Sequence, residues 1–288
     1  MKENAGKGKF WFILPALLIY LFVIVVPSIY SLFISFYNWD GVGKMKFVGF
    51  DNYVYLFLKD NVFQISLKNN IIWTILTVVF TVSIALLIAV ALNREFKGRV
   101  AYRGIIYFPY TLSGVVVALI WTWMYHPQLG LINGLLEVLG LHGLTKAWLS
   151  DPQIALYAVY VAALWQGLGA PMVLFLSGLQ TISKDYLEAA LIDGAGKFRT
   201  FFSIIIPLLR ETFVIVFATQ IINSLKVYDI ISVMTNGGPG NSTQVLATWM
   251  YQQSFMFSKL GIGSAIAWVM VVVLMIVIIP YVLYMARD

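Results

Sequence analysis

The chain has 288 residues, of which 60% are hydrophobic and only 11% charged, and its mean hydropathy is +0.85. A soluble domain of this size carries roughly 25% charged residues, so a water-soluble fold with one buried core is excluded and lipid must solvate much of the surface. There is no cysteine, which removes disulfides and thiolate metal centres, and the net charge of +6 is scattered rather than gathered into a nucleic-acid-binding stretch.

The first apolar run, residues 10–36, follows Lys2, Lys7 and Lys9 in a short basic N-terminus, residues 1–9. It is longer than a signal-peptide core and no A-x-A site follows, so it reads as a retained transmembrane helix, interrupted near Pro15 and Pro27. A polar, aromatic-dotted loop covers residues 37–69, with Phe47-Val48-Gly49-Phe50-Asp51-Asn52-Tyr53 feeding a short surface helix. Further spans are expected at residues 70–92, 102–124, 154–179, 201–234 and 261–285. Each is close to or above the ~20 residues needed to cross the hydrocarbon core. Asn223, Lys226 and Asp229 make the fifth an imperfect span. The expected fold class is therefore an all-α membrane protein with six transmembrane helices. Lys and Arg cluster at the N-terminus, in the 93–103 loop (Arg94, Lys97, Arg99, Arg103), in the 180–200 loop (Lys184, Lys197, Arg199) and at Arg287. The positive-inside rule puts those segments and both termini in the cytoplasm, with the 37–69, 125–152 and 235–260 loops outside; the first of these has four lysines, diluted over its greater length. Trp11, Trp39, Trp73, Trp121, Trp123, Trp148 and Trp249 fall mostly near span ends, as an interfacial belt would.

Three constellations could carry function. The cytoplasmic stretch Asp185-Tyr186-Leu187-Glu188-Ala189-Ala190-Leu191-Ile192-Asp193-Gly194-Ala195-Gly196 reads as a short exposed helix closed by a glycine turn. It suits either a partner-docking element or an ordinary interfacial loop helix. It is not a phosphate loop, because Leu191 stands where a Walker A has its first glycine and Phe198 where it has Ser or Thr. Polar groups interrupt span five: Gln220, Asn223 and Ser224 share a helical face with Val227, and Lys226 and Asp229 could pair or line a path. Trp165-Gln166-Gly167-Leu168-Gly169-Ala170-Pro171-Met172 should kink span four, for a substrate path or for close helix packing. His126 and His142 lack carboxylate partners, and no catalytic or metal-binding arrangement is visible.

The run Glu188-Ala189-Ala190-x3-Gly194-x9-Ile204-x-Ile206-Pro207 resembles the EAA loop of permease subunits of binding-protein-dependent ABC importers. The pattern has Leu where Ile206 stands. Thr235-Asn236-Gly237-Gly238-Pro239-Gly240-Asn241-Ser242-Thr243 is similar to the signature of the sugar branch, which includes the maltose permeases. Gly49-Phe50-Asp51-Asn52-Tyr53 and Trp123-Met124-Tyr125-His126-Pro127 look like the same branch, so the similarity runs from Phe10 to the C-terminus.

The resemblance implies a type I importer permease fold with a transport core at residues 70–285 and a coupling loop at residues 180–200. It implies that Glu188, Ala189, Ala190, Asp193 and Gly194 couple to an ATPase. By position, Leu168, Gly169, Met172, Gln220, Asn223, Ser224 and Val227 match places that contact sugar, with Met172 and Val227 departing from the usual tyrosine and amide. It also implies a second, homologous permease subunit, two cytoplasmic ATPase copies that bind ATP and Mg, and an extracytoplasmic sugar-binding protein. The chain itself would need no cofactor, and it would sit in the cytoplasmic membrane of a prokaryote. The rival expectations are the same machinery carrying a polyol or glycerol phosphate, and an ion-coupled secondary transporter. The latter leaves the exposed EAA-like helix without a role.

Overall fold

The computed structural model describes the backbone of residues 5–285 and the side chains of residues 12–283. The basic groups at Lys2 and Arg287, and the side chains of Lys7, Lys9 and Trp11, lie outside what is described. Helices dominate, and the one small sheet is a two-stranded antiparallel hairpin pairing Tyr37 with Phe47 and Asn38 with Lys46. Four helical segments are long and apolar enough to cross a bilayer: Phe12–Ile34, Asn61–Leu92, Arg210–Met234 (interrupted at residues 226–228) and Leu260–Leu283. Two further pairs are bent, Arg99–Thr111 with Gly114–Met124 and Ala155–Gly167 with Gly169–Thr181; counting each pair as one span gives six among the described residues.

The chain divides into two units. The first comprises residues 1–61 and 249–271. Its Phe12–Ile34 helix exposes Phe12, Phe22, Val23 and Ile29, each more than half accessible, as lipid or a second chain would require. Below it the hairpin is stapled by Asn52, whose buried amide donates to the carbonyls of Ser35 and Tyr37. Phe36, Phe50 and Tyr53 pack ring on ring beside it. The expected surface helix is Asp51–Leu58. Asp40 accepts the amides of Gly43 and Val42 at the hairpin turn, and these bonds hold its carboxyl below the usual carboxylate range. Trp249 donates its indole N–H to the buried carboxylate of Asp60 at 2.9 Å.

The second unit, residues 62–248 and 272–288, holds two apolar cores. One gathers Trp73, Trp121, Tyr125, Tyr160 and Ile231; the other gathers Leu86, Met172, Phe175, Leu179 and Val216. Trp73 and Trp121 therefore belong to a core, and with the bonded Trp249 they leave the expected interfacial belt; Trp123, 79% exposed, fits it.

The helix boundaries depart from simple spans where backbone chemistry intervenes. The second long helix starts at Asn61 rather than at Asn70. A single helix over 102–124 is not what forms: the two halves meet at 99°. Pro109 cannot donate to a helical ladder, Leu112 and Ser113 are extended, and the Ser113 hydroxyl caps the new helix on Val116 N–H. Span four bends by 44° at Leu168, within the Gly-x-Gly-x-Pro run. Span five breaks at Lys226–Tyr228, between Arg210–Leu225 and Asp229–Met234.

The loop from 125 to 152 is ordered by one amide. Asn133 donates to the carbonyls of Pro127 and Lys146 and accepts from Lys146 N–H and the Trp148 indole, at 2.8–3.3 Å. An alanine there would strand several groups at a site only 5% exposed. The expected result for Asn133→Ala is a loss of about 2 kcal/mol, read as a lower Tm of the detergent-solubilised protein.

Candidate functional site: a polar cavity and an exposed short helix

The second unit holds an open cavity of about 430 Å³ beside the core that contains Trp73, Tyr160 and Ile230. The Asn61–Leu92 helix contributes Trp73, Thr77 and Thr81; the bent span four contributes Tyr160, Gln166 and Gly167; span five contributes Gln220, Asn223 and Ser224. The position of the last three follows from helical spacing, because residues three and four apart share one face. The wall is held from behind. Tyr160 donates to the Leu76 carbonyl at 2.7 Å and hydrogen-bonds the Thr81 hydroxyl at 2.9 Å. Gln166 donates to the Leu112 carbonyl at 2.9 Å, where the bent span three interrupts its ladder.

Gln220 and Asn223 are different. Neither amide has a hydrogen-bond partner among the described residues; Gln220 is only 9% exposed, whereas Asn223 is exposed, so the desolvation cost falls on Gln220 alone. Both also line a second, smaller cavity of about 230 Å³ with Tyr110 and Thr219. An apolar environment penalises an unpaired amide by roughly 1–3 kcal/mol, so such groups are kept where a ligand or water meets them. The lining otherwise offers hydroxyls and aromatic faces, and its only charged side chains are Lys226 and Asp229. These two do not form an ion pair with each other; both open to the cavity beside the helix break.

Of the positions assigned to a path from the sequence, Gln220, Asn223, Ser224 and Val227 line the cavity and Leu168, Gly169 and Met172 do not. Met172 is fully buried in a core. Gly169 abuts the next element so closely that a Cβ would lie 2.9 Å from the Tyr107 Cα, which is the close-packing alternative for this glycine. Sequence reasoning missed Thr77, Thr81 and Tyr160, because each sits in an apolar run and only the tertiary arrangement turns it inward; Gln166 belongs to the Trp165–Met172 run already singled out.

The second element is the helix Lys184–Ile192. Ser183 caps its first turn, accepting Asp185 N–H and donating to the Asp185 carboxylate. Its C-terminus is closed by Gly194 at φ +71°, with Gly194 N–H on the Leu191 carbonyl and Ala195 N–H on the Ala190 carbonyl. This is a Schellman closure, which needs a left-handed residue and so favours glycine. Ala190 faces inward and is 5% exposed. Glu188, Ala189, Asp193 and Gly194 are exposed, flanked by Tyr186, Leu191 and Ile192 at 57%, 75% and 86%. The glycine-rich segment after span five is a closed turn, with Thr243 hydrogen-bonded to Thr235 and to the Gly238 carbonyl. Asn236, Gly237, Gly240 and Asn241 all take positive φ in it.

Several membrane-length helices, a polar cavity and a capped, exposed short helix fit a membrane transport subunit. Residues 81–287 match the family of binding-protein-dependent transport system inner membrane components, and the chain belongs to it. It is 35% identical to a probable ABC transporter permease of Pyrococcus horikoshii over 94% of this chain and 92% of that protein. It is 33% identical to a multiple sugar-binding transport system permease of Streptococcus mutans over 94% and 93% respectively. Its fold superposes on a bacterial ABC transporter involved in import of the acidic polysaccharide alginate, with a TM-score of 0.86 at 23% identity, over 99% of each chain. The fold is that of a type I ABC importer permease.

Gly194→Val would force a β-branched residue into the left-handed region, at a cost of about 1–2 kcal/mol. The expected consequence is fraying of the helix end, read as faster hydrogen exchange at the Gly194 and Ala195 amides with the rest of the protein unchanged.

Proposed function

We propose that this chain is a membrane-spanning subunit of an ATP-driven importer that moves a carbohydrate across the cytoplasmic membrane by alternating access. The observation that carries the reading is the cavity of about 430 Å³ whose unpaired amides, Gln220 and Asn223, stand among hydroxyls and aromatic rings. Amides and hydroxyls satisfy a polyhydroxyl ligand, and aromatic faces suit the apolar faces of sugar rings. The sugar-transporting relative supports the same cargo class. No arginine lines the cavity, so a phosphorylated cargo would have Lys226 as its only cation. Gln220, Asn223, Ser224 and Val227 form the substrate path in this reading; Leu168, Gly169 and Met172 support its packing from behind.

Glu188, Ala189, Asp193 and Gly194, on and after the exposed helix, dock the chain on an ATPase, with Ala190 seating the helix against its own chain. The Tyr186, Leu191 and Ile192 side chains give that surface an apolar component that water alone does not reward. This subunit does not itself hydrolyse ATP. Two ATPase copies bind ATP and Mg, a second homologous permease completes the pore, and an extracytoplasmic sugar-binding protein delivers cargo. Both termini face the cytoplasm.

Reconstitution with the cognate ATPase and binding protein tests the reading. ATP-dependent uptake of a labelled oligosaccharide is expected; uptake by this chain alone, driven by an ion gradient, would overturn it. In that assembly Glu188→Lys should leave ATP hydrolysis running while transport falls at least about tenfold, since reversing a charge at a docking surface costs on the order of 1–2 kcal/mol. Gln220→Ala should raise KM about tenfold, the loss of about one hydrogen bond to an uncharged ligand in a desolvated site, with little change in the ATPase rate. An unchanged KM in Gln220→Ala and Asn223→Ala alike would remove both from the path.

A further inference from the structure

A single buried asparagine closes two helix ends at once. Asn70 is 0% exposed and lies inside the Asn61–Leu92 helix. Its Nδ2 donates to the carbonyl of Ser224 at 3.3 Å, and its Oδ1 accepts the backbone N–H of Leu246 at 2.7 Å. Ser224 is in the last turn of Arg210–Leu225, where the break at Lys226 ends the ladder. Leu246 is the first residue of Leu246–Tyr251. The last four carbonyls and first four amides of a helix have no partner within it, so one side-chain amide here supplies what each end lacks.

The neighbouring turn adds two bonds. Asn69 donates to the carbonyls of Ser242 and Gln244, at 2.9 and 2.8 Å, which fastens the glycine-rich turn to the same helix. Thr74, one turn beyond Asn70, hydrogen-bonds the Ser224 hydroxyl at 2.8 Å. Ser224 and Asn223 line the cavity; the 235–246 segment does not. Asn70, with Asn69 beside it, therefore ties the 242–246 segment and the Ser224 end of the cavity wall to one helix through buried hydrogen bonds, besides the covalent link through Asp229–Met234.

We infer that Asn70 is a positioning residue that sets where the Asn223–Ser224 wall stands and links it to the 235–246 segment, so that displacing that segment moves the wall. The inference rests on the transport reading only in its consequence: a partner bearing on the glycine-rich turn from outside would reach the Ser224 wall through Asn70 in addition to the chain itself. The positional claim stands on the hydrogen bonds alone.

The chain has no cysteine, so a single Asn223→Cys reports on the wall directly. In membranes containing Asn223→Cys, a small membrane-impermeant methanethiosulfonate should label at a rate that Asn70→Leu changes about fivefold or more, the effect of losing a buried hydrogen bond or two. Thr74→Val, close in shape, should shift the rate in the same direction, and it serves if Asn70→Leu does not accumulate in the membrane. Thr122→Val, whose hydroxyl bonds only the Ala118 carbonyl on its own helix, should not. In the complete importer with Asn223 restored, Asn70→Leu should change cargo KM while the ATPase rate per inserted transporter stays within about twofold, a split that general destabilisation does not produce. A labelling rate unchanged in both Asn70→Leu and Thr74→Val would overturn the inference. Changed labelling in a chain that imports no carbohydrate would leave the inference standing and remove the cargo assignment.

Discussion

The structure depends on one constraint: away from water, every backbone group released by an interrupted helix must find a partner inside the protein. This chain interrupts several helices and closes the openings with side chains from elsewhere. Arg103 donates to the Leu92 carbonyl at the end of the second long helix. Gln166 donates to Leu112 at the 99° bend, and Tyr160 to Leu76 at the entrance of a wider-wound turn, Thr77–Thr81. Asn70 serves Ser224 at the break in span five. These four groups satisfy backbone carbonyls where helices end, bend or widen.

The cavity is a consequence of that arrangement. A bundle of straight apolar helices would pack its interior closed. Here spans three and four bend and span five breaks, and a polar space opens beside the core of Trp73, Tyr160 and Ile230. The side chains that repair the backbone, Tyr160 and Gln166, stand in its wall. Gln220 and Asn223 are left without such duty, and that distinguishes groups that hold the wall from groups that can meet a cargo.

The exposed helix follows different rules. Lys184–Ile192 is shorter than an isolated helix could be and still persist in water. It persists because both ends are capped, by Ser183 and by the Gly194 closure, and because Ala190 is seated in the protein. A rigid, short, partly apolar element held clear of the bundle can pass on a push without dissipating it, which suits the mechanical role proposed for it.

Much of this was legible in the sequence. Composition demanded lipid, and the apolar runs marked where the long helices lie. The glycine at 194 marked the end of the short helix in advance, because left-handed turns depend on residues adjacent in the chain; the Ser183 cap at its start appeared only in the structure. The face Gln220–Asn223–Ser224 was readable for the same reason: helical spacing is local. What the sequence left open was decided by contacts between residues far apart. The sequence marks residues 102–124 as one span; the 99° bend at residues 112–113 emerges only in the fold, where Gln166 from another span donates to the Leu112 carbonyl. Gly169 and Met172 could have faced a path or a neighbour until the Tyr107 backbone and the second core claimed them. Asn70 is one polar residue in a helix by sequence. It becomes the joint between two helix ends only once the fold brings residues 224 and 246 to either side of it, because a hydrogen bond is satisfied in space and not along the chain.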